Sequence, residues 1–95
     1  MIKVIFKTPL EDKIATISLD LANRKIVNIE IEKDRSRIAK LYYPHINKPT
    51  YASFESLLNH YCDTENVDLS ILLDHIEKNG FYTPYRPNLR IEINR

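Results

Sequence analysis

Ninety-five residues, 43% apolar and 28% charged, suffice for one domain with a small core and are too apolar for a disordered chain. A formal net charge of +1 and an isoelectric point near 7.9 weigh against a dedicated nucleic-acid domain, whose surface is normally far more basic. The single cysteine, Cys62, excludes an internal disulfide, the single glycine, Gly80, excludes a glycine-rich phosphate loop, and no run reaches the roughly 18–20 apolar residues of a membrane span.

In chain order, Ile2, Val4 and Phe6 alternate with Lys3, Ile5 and Lys7, the period of a strand, which Pro9 ends. Ala15, Ile17, Leu19 and Leu21 alternate with polar residues in the same way, as do Val27, Ile29 and Ile31. Between these two runs lies Ala22-Asn23-Arg24-Lys25, where Asn23 suits the positive φ of a hairpin turn, so the first 31 residues predict a three-stranded meander. Residues 34–43 admit two readings. Asp34 can cap a short helix burying Ile38, Leu41 and Tyr42, or Ile38, Lys40 and Tyr42 can line one side of a fourth strand.

Thr50 then caps a helix with Phe54, Leu57, Leu58 and Tyr61 at i, i+3, i+4, i+7. Asp63–Asn66 breaks it. A second helix carries Leu69, Leu72, Leu73 and Ile76 at the same spacing, with Asn66 or Asp68 near its start, and stops at Asn79-Gly80 with Phe81 folding back on its last turn. A Pro/Tyr loop spans residues 82–87. Leu89, Ile91 and Ile93 alternate with Arg90, Glu92 and Asn94 as a terminal strand that returns beside the first. The expected fold is a single α+β domain over residues 1–95: a small antiparallel sheet, made of the meander and the C-terminal strand, with a helical pair on one face.

Side chains able to do chemistry are present but poorly spaced. His60-Tyr61-Cys62-Asp63 gathers an imidazole, a thiol and a carboxylate, yet residues two apart on a helix point about 200° around its axis. Cys62 is therefore read as a small buried hydrophobe. His45, His60 and His75 lack the spacing of metal ligands, and Glu30/Glu32 and Asp74/Glu77 fall on solvated faces unsuited to raising a carboxyl pKa. No catalytic motif, metal site or cofactor is expected.

The charges, in contrast, are segregated. Residues 1–50 hold ten Lys/Arg against six Asp/Glu, +4; residues 51–78 hold Lys78 against six carboxylates, −5; residues 79–95 carry +2. The leading expectation is a non-enzymatic protein-interaction module, a small regulator, inhibitor or adaptor. Its surface would be the acidic helical pair, through Glu65, Asp68, Asp74 and Glu77, and the loop holding Tyr82, Tyr85 and Arg86. A virus- or plasmid-type inhibitor of a nucleic-acid-handling complex is one concrete form. The alternative is RNA or single-stranded DNA binding through Arg35, Arg37, Lys40, Tyr42, Tyr85 and Arg86, cations interleaved with rings. No membrane partner is expected, and an edge strand such as Leu89–Asn94 offers a route to a homodimer. The N-terminus lacks the apolar run of a secretory signal, so a cytoplasm is the expected compartment, the encoding organism's own or an infected host's.

Overall fold

A computed structural model describes residues 1–80 and 88–95. Its sheet is built from β1 (Ile2–Lys7), β2 (Lys13–Asp20), β3 (Lys25–Ile31) and β4 (Arg90–Asn94), all antiparallel, in the order β3-β2-β1-β4. The N-terminal meander and the C-terminal strand beside β1 are those the sequence predicts. Ile2, Val4 and Phe6 share the inner face with Ala15, Ile17, Leu19 and Ile91. The outer face carries Lys3, Thr16, Ser18, Glu30 and Glu92. There Ile5 is buried all the same, flanked by Thr16 on one side and Glu92 on the other, with Lys7 and Glu92 ion-paired over the surface.

Two irregularities depart from simple alternation. Leu19 pairs with Ile26 while Ser18 pairs with Asn28, so Val27 is an extra residue in a β-bulge and stands 50% exposed. Ile26, not Val27, therefore joins Ile29 and Ile31 against the core. In the β2–β3 turn the positive φ belongs to Arg24, at 53°, and not to Asn23, whose side chain donates to Asp20 Oδ2 at 2.7 Å. Left-handed backbone costs a non-glycine residue about 1 kcal/mol, and the contacts of the Arg24 side chain described below hold it there.

Residues 36–42 are helical, which settles the ambiguous segment: α1 (Ser36–Tyr42) buries Ala39 and Tyr42 and half-buries Ile38. Asp34 is not its cap. It sits outside the helix at φ 66°, and Arg35 holds the cap position without a side-chain hydrogen bond. The helix's phase then turns Leu41 outward, 65% exposed, against the expectation that it is buried.

The helical pair follows. In α2 (Tyr51–Tyr61), Thr50 and Ser53 form a reciprocal capping box, and Phe54, Leu58 and Tyr61 are buried while Leu57 is half-buried. In α3 (Leu69–Asn79), Asp68 caps the first turn, all of Leu69, Leu72, Leu73 and Ile76 are buried, and Gly80 closes the helix at φ 73°. Phe54 binds the layers together, stacking on Phe6 of the sheet at 6.2 Å and meeting the tilted ring of Tyr43 at 5.6 Å. Tyr43 reaches Ser53 Oγ at 2.5 Å, and the Tyr61 hydroxyl donates to the Tyr42 carbonyl, so α1 is tied to α2 at both ends of the latter. Phe81 and the loop at 82–87 lie outside the described residues.

One polar side chain governs the connection between α2 and α3. Asn59 is 7% exposed and saturated: Nδ2 donates to the Glu55 and Val67 carbonyls at 2.9 and 3.0 Å, and Oδ1 accepts from Thr64 Oγ1 at 2.7 Å and Val67 N–H at 3.0 Å. Removing it strands several buried polar groups, each costing about 1–3 kcal/mol. Asn59→Ala is therefore expected to lose about 3 kcal/mol of unfolding free energy in urea titration. A loss below about 0.5 kcal/mol would show that the loop is held by other contacts.

Candidate functional site

The acidic surface is assembled from α2, α3 and two arginines that come from elsewhere in the chain. Glu55 accepts the Leu69 N–H at 2.9 Å through one oxygen, which satisfies a free donor at the start of α3. Its other oxygen lies 3.7 Å from Arg24, which also stands 3.9 Å from Asp68 and over the Tyr51 ring at 4.8 Å. The β2–β3 hairpin tip thus clamps the two helix starts. At the far end of α3, Arg95 contacts Asp74 and donates to Glu77 at 2.8 Å. Of the predicted acidic residues, Asp68, Asp74 and Glu77 each carry an arginine, while Glu65 is exposed in the α2–α3 loop. Adding Arg24 and Arg95 to the −5 of residues 51–78 leaves the surface at −3.

Ile71 is 60% exposed on this surface, with Asp68 and Asp74 three residues to either side and His75 four residues on. The Leu69/Leu72/Leu73/Ile76 stripe buries the opposite face of the helix, so Ile71 is an aliphatic side chain with no place in the core. Its position off that stripe is the sequence signal that marks it.

The basic residues gather separately. Arg35, Arg37 and Lys40 line one shallow groove of about 830 Å³ with Asp34, Ile38 and the exposed Leu41. Arg35 approaches Asp12 at 4.0 Å; Arg37 and Lys40 make no ion pair among the described residues. Tyr42 does not join them. It is 6% exposed, its phenol pKa raised by burial, and its ring is inside the core where no base can stack on it. The remaining residues proposed for either surface, Tyr82, Tyr85 and Arg86, lie outside the described residues.

Cys62 is half-buried at the margin of the core, and burial pushes its thiol pKa up, the reverse of what an activated nucleophile needs. Among the described residues no three His, Cys, Asp or Glu side chains gather as metal ligands, and no helix is long and apolar enough to cross a membrane. Comparison with known proteins finds no match: no family model, curated protein or solved structure resembles the chain closely enough to assign a relationship.

Asp68 has a titration that can be tested. Hydrogen bonds from the Ser70 N–H and hydroxyl, with help from Arg24, hold its carboxyl below the ordinary value. A carboxyl depressed in the folded state stabilises the fold above its unfolded pKa of about 3.9, and that contribution disappears as pH falls through the lower folded value. Asp68→Asn keeps a capping oxygen but cannot titrate. Its stability is expected to fall less than the wild type's between about pH 5 and pH 2, and identical pH profiles in denaturant titration would contradict the assignment.

Proposed function

We propose that the chain is a non-enzymatic protein-interaction module whose contact surface is the acidic helical face around Ile71 and whose partner presents a basic surface. The observation that carries this reading is Ile71 itself: a large aliphatic side chain, 60% exposed, framed by Asp68 and Asp74 on a helix whose other face is fully committed to the core. An apolar centre with a charged rim is the layout of a protein contact, in which burial supplies affinity and charge supplies orientation and rate. The arginines at Asp68, Asp74 and Glu77 do not remove this potential. Exposed ion pairs contribute roughly 0–1 kcal/mol and exchange readily for pairs with an incoming cation. A small regulator or inhibitor of a nucleic-acid-handling complex fits, because the basic surfaces of such complexes suit an acidic ligand. The lone, half-buried Cys62 suits a reducing cytoplasm.

A second reading, RNA or single-stranded DNA binding, is favoured by one observation: Arg35, Arg37 and Lys40 share a groove. It lacks a stacking ring there, since Tyr42 is buried.

Reversing Asp74 and Glu77 to Lys, with Ile71→Ala, is expected to abolish at least nine-tenths of partner capture under nuclease treatment. These positions are solvent-facing, so the variant should keep the wild-type circular dichroism spectrum. Undiminished capture by a folded variant would refute the acidic-face reading, and capture lost on nuclease treatment of the wild type would favour the nucleic-acid one.

A further inference from the structure

We infer that the acidic face around Ile71 and the basic groove on α1 are partners, the face of one molecule docking in the groove of a second copy. This rests on the reading above and names the basic surface that it requires. The two surfaces match in sign, and each carries an exposed aliphatic side chain. Leu41 is 65% exposed, with Arg37 one helical turn before it and Lys40 beside it; Ile71 is 60% exposed, with Asp68 and Asp74 one turn to either side. Aliphatic side chain meets aliphatic side chain, and the cations on the N-terminal side of Leu41 meet the carboxylates around Ile71.

The two surfaces are not satisfied by each other within one molecule. α1 packs over β2, whereas α3 packs on α2 and on β4, and β1 separates β2 from β4 in the sheet. The carboxylates of α3 take their intramolecular cations from Arg24 and Arg95, not from α1. Arg37 and Lys40 are the cations left over among the described residues of the groove.

Because face and groove are different surfaces, the contact is heterologous. Each docked pair leaves one groove and one face open, so association runs past the dimer unless the rotation closes a ring. Exposed charges dominate it, so salt should dissolve it: the screening length shrinks from about 14 Å at roughly 0.05 M salt to about 4 Å at roughly 0.5 M.

Sedimentation equilibrium of the intact chain tests this. The expected result is a weight-average mass that rises with protein concentration at about 0.05 M salt and returns to the monomer value at about 0.5 M. Two variants complete the test: Arg37→Glu with Lys40→Glu spoils the groove and leaves the face, and Ile71→Ala with Asp74→Lys spoils the face and leaves the groove. Each alone should be monomeric. Mixed, they hold one intact groove and one intact face between them and should form a 1:1 heterodimer that grows no further. A wild type that is monomeric at every salt concentration overturns the inference without reference to any variant and leaves the acidic face free for a different partner. So does a wild type that associates independently of salt, or two separately monomeric variants that fail to pair. A monomeric wild type whose groove instead retains a single-stranded oligonucleotide also overturns it, in favour of a polyanion at α1.

Discussion

The buried amide of Asn59 decides where the second long helix begins. A chain leaving α2 has to reverse direction within a few residues, and its backbone N–H and C=O groups lose water as it does so. Asn59 supplies two donors and two acceptors at that point and closes on the Glu55, Thr64 and Val67 groups with none of its own left over. Asp63 and Asn66 meanwhile adopt the left-handed backbone that tightens the reversal, at φ 55° and 54°. With Val67 pinned, Leu69 arrives where Glu55 can accept its N–H, and the stripe from Leu69 to Ile76 is delivered to the core. The exposed position of Ile71 is the consequence on the other side of the same helix.

Charge is organised by a different logic. Arg24 and Arg95 are distant in sequence from the carboxylates they meet, and each ties a terminus of a β element to α3 or its approach. These are exposed pairs, individually weak, and screened by salt. Each arginine places a positive charge among the carboxylates of the helical pair, which keeps a net −3, while Arg37 and Lys40 of α1 make no ion pair among the described residues. A nearly neutral chain thereby presents two surfaces of opposite sign, each with an exposed aliphatic side chain.

The framework was legible because it rests on short-range rules. Strand alternation, the Thr50 cap, the Phe54 and Leu69 stripes and Gly80 are each written within a few residues, and they point to one architecture. What was not legible depends on registers and distant partners. Val27 reads as an inward strand residue until the bulge shifts the phase of β3, and Leu41 reads as buried until the start of α1 at Ser36 fixes its rotation. Arg24 on Tyr51 and Arg95 on Asp74 join residues that no sequence window contains together. Asn59 looks like any polar residue on a helix until the loop folds over it. For the surfaces, the clustering of Asp68, Asp74 and Glu77 and of Arg35, Arg37 and Lys40 was visible in the sequence. The exposure of Leu41 was not, because it depends on where α1 starts, whereas the burial of Tyr42 belonged to one of the two readings of residues 34–43 and Ile71 stands off the Leu69–Ile76 stripe.

The proposed recognition between the two charged helical surfaces is tested most directly by a map of amide chemical shifts as the protein is concentrated at low salt. Concentration-dependent shifts are expected in two patches only, Arg37 to Leu41 on α1 and Asp68 to His75 on α3, both vanishing when salt is added. Shifts absent throughout, or centred on the edge strands β3 and β4, would contradict it.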